Sequence, residues 1–347
     1  MSTSTAPTRR RDDLRPALAA GVTVLLWASA FVGVRSAGHD VEPGALAFGR
    51  MLVASAALTA VVLFRGLPTM PRGRRLAAVA AWGVAWFGAY NLALNAAETH
   101  LDAGTTALLV NLAPVLVALL AGLFLGEGFP RRLLVGVAIA FGGVVLIAVA
   151  GPGGRADTVG VALGLTAAVL YAGAAVAQKR LLAHTDALTM TWLGSLAGTL
   201  VTAPWAPSLA RDLSAAPTGT ALTVVYLGLF PTAVAFLAWG YALSRTTAGR
   251  LASTTYAVPA LVVALSWLLL AEVPAPLAFV GGALCLVGVA VSRGRSRAAR
   301  DGAGFPDPGC KQRRIACTQE VPGYPCSTAA RPASSRATGT RNGEQDT

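Results

Sequence analysis

The chain has 347 residues, 54% of them hydrophobic and 13% charged, with a mean hydropathy of +0.60. A soluble domain carries about 25% charged residues, so this composition cannot cover a water-facing exterior; it excludes a soluble enzyme, a disordered scaffold and a disulfide-stapled secreted module. The net charge of +12 does not mark a nucleic-acid binder, because Lys and Arg sit in short loops and at the termini with no basic–aromatic interleaving.

A membrane-spanning helix needs roughly 20 apolar residues. Apolar runs bounded by loop signals predict ten spans, at 17–34, 44–64, 76–97, 104–125, 133–150, 158–178, 187–205, 218–243, 250–270 and 276–291. The expected fold class is therefore an all-α polytopic membrane protein with ten transmembrane helices. Residues 1–16 carry Arg9, Arg10, Arg11 and Arg15, and the second loop on that side carries Arg65, Arg72, Arg74 and Arg75. Arg131, Arg132, Lys179, Arg180, Arg245 and Arg250 follow on the same side. The other side holds only Arg35, Arg155 and Arg211, beside Asp40, Glu42, Glu98, Asp102, Asp157, Asp212 and Glu272. Positive loops stay in the cytoplasm, so both termini are expected there.

Residues 9–30 also fit a cleaved signal peptide, with arginines, an apolar run and then Ala28-Ser29-Ala30. An internal repeat argues that this helix is kept. Shifted by 145 residues, Ala113-Pro114 through Gly126-Glu127 falls on Val258-Pro259 through Ala271-Glu272, with Gly136 on Gly281, Gly143 on Gly288 and Ala103-Gly104 on Ala248-Gly249. Shifted by 144, Trp27 falls on Tyr171, Arg35 on Lys179 and Glu42 on Asp186. Five spans per copy is an odd number, so residues 17–150 and 158–291 are two inverted five-helix repeats, the ground plan of many secondary transporters.

The run Trp27 to Arg35, Arg50 within the second span, and the two Pro-to-Glu runs resemble EamA-type repeats of the drug/metabolite transporter superfamily. The resemblance covers about 17–291 and implies ten helices with both termini cytoplasmic. It also implies export of amino acids or other small metabolites through a central cavity, by alternating access between the repeats, in a bacterial plasma membrane. One departure breaks the symmetry: Gly194 stands where the second copy would repeat Arg50.

Few polar side chains interrupt the spans. Arg50 lies about seven residues in from the end of the second span; it either serves the solute or snorkels outward to pair with Glu42 or Glu98. Asn91 and Asn95 are four apart and share a helix face, with Tyr90 beside them; Asn111 and Gln178 are the other buried-amide candidates. These amides must bond a neighbouring helix, water or a solute. With Trp27, Tyr171, Trp239 and Tyr256 they form the candidate solute site, whose neutral hydrogen bonds and aromatic faces suit a small zwitterionic or amphipathic solute. Pro114, Pro231 and Pro259 are expected to interrupt the helical ladder, as static kinks or as points that flex. Glu127 and Glu272 are expected to cap or latch loops, and Gly136, Gly143, Gly281, Gly288, Gly194 and Gly198 to allow close helix packing.

Residues 292–347 read as a disordered basic tail, with Arg293, Arg295, Arg297 and Arg300 placed to meet anionic lipid. Cys310, Cys317 and Cys326 match no zinc spacing, and no metal or cofactor motif is present. The expected partners are a small-molecule solute and membrane lipid, not nucleic acid. The alternative cargo is a drug or other hydrophobic solute. A membrane-embedded enzyme would need clustered His or acidic ligands, whereas His39, His100 and His184 are scattered in loops; a sensor would need a soluble domain. The carboxylates keep to helix ends and loops, so transport is expected not to be driven by a proton carried on an intramembrane side chain. Glu98 with His100 is the one pair that contests this.

Overall fold

The structure, a computed structural model, describes residues 9–116, 120, 131–149, 157–246, 251 and 254–292. The expectations for Gly126, Glu127, Arg155, Ala248 to Arg250 and the tail lie outside the described residues. Among the described residues every element is helical. In chain order these are α1 (Arg9–Ala37), α2 (Pro43–Arg65), α3 (Arg74–His100), α4 (Ala103–Leu116), α5 (Arg131–Ala148) and α6 (Thr158–Leu181). Then come α7 (Ala187–Thr202), α8 (Ala206–Ala215), α9 (Thr218–Arg245), α10 (Ala257–Leu270) and α11 (Pro276–Ser292). Five of them are long and apolar enough to cross a membrane by length and composition: α2, α3, α6, α9 and residues Leu14–Ala37 of α1. Shorter apolar helices cover α4, α10 and most of α5 and α11.

Where its residues are described, each expected span overlaps a helix, but the ends move; residues 117–119 and 121–125 of the fourth lie outside the described residues. The first helix starts at Arg9 rather than 17, because arginines are good helix formers and the turn before a span needs no apolar face. The third runs on to His100 and so contains Glu98. The seventh stops at Thr202 and passes through a short 3-10 turn into α8, a helix the sequence reading left as loop. Within α8 only Leu209 is buried, beside Leu46 of α2 and Val224 of α9.

The acidic loop residues earn their places as helix caps. Asp102 accepts from the Thr105 amide at 2.8 Å, Asp157 from Gly160 at 2.9 Å and Asp186 from Thr189 at 3.0 Å, each satisfying an otherwise unpaired first-turn N–H. Contacts between loops define two ends of the bundle. At the acidic end Asp40 accepts from Thr220 and His100 meets Asp157; at the basic end Lys179 reaches the last turn of α9.

The internal repeat is visible in the packing. Close to the α5–α11 crossing, a methyl on Gly143 or Gly281 would strike the other's carbonyl, and one on Gly288 would strike the Gly136 carbonyl. The 145-residue shift exchanges these two contacts. Both repeats also carry a π-helical segment, Val84–Ala89 in α3 and Gly228–Val234 in α9, at corresponding positions. Gly83 packs on the backbone of Gly194, and Gly228 on that of Arg50, again an equivalent pair. Gly198 and Gly194 also admit Phe87 of α3, so these glycines permit close approach. Finally, α4 is interrupted at Asn111–Leu112 and a turn at Thr255–Tyr256 precedes α10, each just before its proline, Pro114 or Pro259. Pro231 lies inside the π-segment of α9, so all three prolines sit at breaks in the regular ladder.

Overpacking a tight crossing costs about 1–3 kcal/mol. Gly143→Leu should therefore lower the melting temperature of the detergent-purified protein by several degrees, whereas Gly173→Ala, with open space around its Cα, should not. Equal melting curves would show that the α5–α11 crossing contributes little.

Candidate functional site

A central cavity lies between α1, α2, α3, α4, α6, α9 and the turn before α10. It measures about 50 Å³. That is room for a few waters. Its wall is aromatic. Trp27 packs on Tyr171, Phe236 and Trp239 at centroid distances of 6.1, 5.4 and 4.9 Å, and Trp86 on Tyr171 and Phe236 at 5.4 and 5.3 Å. Edge-on and tilted pairs of this kind favour a rigid wall.

The polar side chains in that wall include Arg50, Asn91 and Asn111. Each of these three is hydrogen-bonded through part of its polar group and has another polar atom without a partner. Arg50, 5% exposed, donates from Nε and Nη2 to Thr232 Oγ1 at 3.3 and 3.2 Å, while Nη1 has no partner. The Thr232 hydroxyl in turn donates to the Leu227 carbonyl at 2.8 Å, inside the π-segment of α9. Asn91 Nδ2 donates to the Trp86 and Phe87 carbonyls at 3.1 and 3.0 Å, which belong to the π-segment of α3. Asn111 Nδ2 donates to Ala107 at 3.2 Å, where α4 breaks. The Oδ1 atoms of both asparagines are buried without a partner. The cavity wall thus includes one cationic side chain and two neutral amides.

Of the residues expected at the site, Trp27, Arg50, Tyr90, Asn91, Asn111, Tyr171 and Pro114 line the cavity. Asn95, Gln178, Trp239 and Tyr256 are not in its lining. Asn95 Nδ2 instead bonds the Pro43 carbonyl at 3.1 Å, tying α3 to the start of α2. Trp239 Nε1 donates to Gln178 Oε1 at 3.1 Å, joining α9 to α6. The sequence reading missed Trp86, Phe236 and Thr232. One signal was available for Phe236, which falls on Asn91 at the 145-residue shift.

Arg50 does not snorkel. Its guanidinium turns inward, and Glu42 is engaged elsewhere, accepting from Trp205 Nε1 at 3.2 Å. Glu98 needs a larger correction. It stands two residues before the end of α3, yet it is 3% exposed and neither carboxylate oxygen has a hydrogen-bond partner. It feels the charges of Arg35 and Arg50 without an ion pair to either. Among the described residues Arg35 pairs with Glu272 at 3.0 Å, and His100 Nδ1 lies 3.2 Å from Asp157 Oδ2, so His100 is not Glu98's partner. Glu272 is the expected latch: it joins the end of α1 to the end of α10, and Arg35 Nη1 also donates to the Glu98 carbonyl at 2.8 Å. At the basic end Lys179 Nζ donates to the Leu243 carbonyl at 2.8 Å, and the repeat shifts carry one of these carbonyl contacts onto the other.

The model of the EamA-like transporter family matches the chain twice, over residues 14–149 and 158–294. The chain belongs to this family. Its relatives include a protein of Streptantibioticus cattleyicolor named as a probable terminal-alkyne amino-acid exporter, 39% identical over 82% of this chain and 95% of that one. A probable amino-acid metabolite efflux pump of Escherichia coli is 27% identical over 78% of this chain and 92% of the pump. An uncharacterized transporter of Bacillus subtilis, YdfC, is 31% identical over 81% and 91% of the two chains. A crystal structure of a protein 21% identical to this EamA-like transporter superimposes with a TM-score of 0.56, covering 80% of this chain and 97% of that chain, and shares its fold.

Interhelical hydrogen bonds in membranes contribute about 0.6 kcal/mol on average. Trp239→Phe should therefore lower the melting temperature slightly and leave solute affinity unchanged, since the bond it removes lies outside the cavity. A changed affinity at unchanged stability would put Trp239 in the site.

Proposed function

We propose that this EamA-like transporter exports amino acids or closely related small metabolites, and that the solute occupies the central cavity between the two repeats. The observation that carries the reading is a set of three polar side chains in the wall of one aromatic cavity, each with a polar atom left without a hydrogen-bond partner: Arg50 Nη1, Asn91 Oδ1 and Asn111 Oδ1. A guanidinium N–H is a donor for a carboxylate, and amide oxygens accept from an ammonium. An α-amino acid supplies both, and its side chain would meet Trp27, Trp86, Tyr171 and Phe236. A drug without polar groups would leave all three atoms unsatisfied in a low-dielectric site, a cost of about 1–3 kcal/mol each. The names of the Streptantibioticus and Escherichia relatives support the same cargo class.

At its present size the cavity is too small for an amino acid. It fits an occluded form, from which the helices part toward one end or the other in alternating access. The paired breaks in α4 and before α10, and the two π-segments, are where this motion is expected to concentrate. The charge distribution supports a plasma-membrane orientation with the basic end and both termini cytoplasmic and the acidic end outside.

Two measurements test this reading. Counterflow of labelled amino acids into proteoliposomes should be saturable, and Arg50→Gln should weaken apparent affinity about tenfold to a hundredfold, the loss expected for one charge-assisted hydrogen bond. No counterflow with any of the twenty standard amino acids would overturn the cargo assignment. For orientation, cysteines are placed singly in a background where the native four are Ser. A membrane-impermeant maleimide applied to intact cells should label Ser214→Cys at the acidic end and spare His184→Cys at the basic end, both exposed positions. The reverse pattern would invert the topology.

A further inference from the structure

We propose that the basic end of the bundle carries a binding site for the headgroup of an anionic phospholipid, in a recess between the α2–α3 loop and the α6–α7 loop. The site is independent of the choice of cargo and of which end faces the cytoplasm.

The recess has a volume of about 1030 Å³ and is formed by residues 68–75 of the first repeat and 184–186 of the second. Arg72, Arg74 and Arg75 line it from one loop and His184 from the other. All three arginines are exposed. Among the described residues none of their guanidiniums has an ion pair or a hydrogen bond. The acid of the lining, Asp186, is engaged elsewhere: its carboxylate accepts from the Thr189 amide and hydroxyl at 3.0 and 2.5 Å, capping α7. Three like charges around one recess repel each other, and a phosphate diester relieves that repulsion while matching the planar fork of a guanidinium.

Depth decides where the phosphate comes from. Helix α2 has 23 residues. At 1.5 Å per residue it is about 34 Å long, which matches a hydrocarbon core of about 30 Å. The loop that follows therefore lies at headgroup level. His184 stands at the same level, three residues beyond the end of α6, a span of 24 residues. Just before the arginines in the chain the surface is apolar. Phe64 is 91% exposed and Leu67 74%, and Met70, itself a lining residue, is exposed as well. A soluble anion leaves that surface bare, whereas the acyl chains of a lipid cover it. Pro68 and Pro71 restrict the loop backbone, so less freedom is lost when a headgroup binds. A headgroup in this recess touches both repeats and ties them together at the basic end.

The test uses the full-length protein in an uncharged detergent, mixed with dioleoylphosphatidylglycerol or with dioleoylphosphatidylcholine, and counts bound lipid by native mass spectrometry. The anionic lipid is expected to bind about tenfold more tightly than the zwitterionic one. Arg72→Gln, Arg74→Gln and Arg75→Gln combined should weaken its binding on the order of a hundredfold. Arg9→Gln, Arg10→Gln and Arg11→Gln combined remove the same charge from the same end and should change it by less than about threefold. Equal binding of the two lipids, or equal losses in the two triple variants, overturns the proposal. Displacement of the bound phosphatidylglycerol by inorganic phosphate at constant ionic strength assigns the recess to a soluble anion and overturns it too. The wild type decides the matter whether or not the variants fold. Phosphatidylglycerol with a photoreactive diazirine in its headgroup should cross-link within residues 68–75 or 184–186, and cross-links confined to other segments overturn the site.

Discussion

In a bilayer no water reaches the backbone, so every amide and carbonyl must find its partner within the protein. A regular α-helix meets this demand by itself. This transporter departs from regular helix at the π-segments of α3 and α9, at the break in α4 and at the turn before α10. Side chains bond the backbone at three of those departures: Asn91 to the Trp86 and Phe87 carbonyls, Thr232 to Leu227, and Asn111 to Ala107. Both asparagines and the Arg50 guanidinium held by Thr232 belong to the wall of the same cavity. The polar character of the cavity is therefore a by-product of the interrupted backbone, and the site cannot be moved without moving the interruptions.

The same constraint explains how two copies of one sequence design yield one asymmetric site. The glycine contacts of α5 with α11, the paired π-segments and the lysine and arginine contacts to Leu243 and Glu98 follow the repeat closely. At Arg50 they part. Its equivalent, Gly194, is pressed against Gly83, Trp82 and Phe87 and has no room for a side chain, while Arg50 contributes only its backbone to the matching contact with Gly228. One crossing gives tight packing of α7 on α3, and the other leaves a long cation free to reach the cavity.

The spans were legible because a run of about 20 apolar residues has little alternative. Their ends were not, since Arg9 to Arg11 extend a helix as readily as they end one. The surface helix α8 escaped because its ten residues bury only Leu209, too weak a pattern to stand out from a loop. Arg50, Asn91 and Asn111 were legible as polar groups in apolar surroundings. Trp86 and Phe236 were not, because in a membrane protein a side chain facing lipid, core or cavity has the same apolar identity. Asn95 and Gln178 satisfied the same criterion as Asn91 and proved to be bonded between helices, so polarity in a span marks a hydrogen bond without saying to what. Glu98 was misread for a geometric reason: sequence position near a helix end implies solvent, but Arg35 and Glu272 close over that end.

The fixed cation of Arg50 has an electrical consequence. A cavity with room for a few waters in the middle of a bundle is a potential wire for hydronium and sodium ions, and a membrane that holds a potential cannot tolerate a leak. A guanidinium in a low-dielectric constriction raises the local potential against any free cation, as positive groups do in water-conducting pores. Arg50 keeps its charge at physiological pH and is locked to Thr232, so the barrier stands whenever the cavity is empty of solute. Wetting of the cavity is thereby separated from ion conductance.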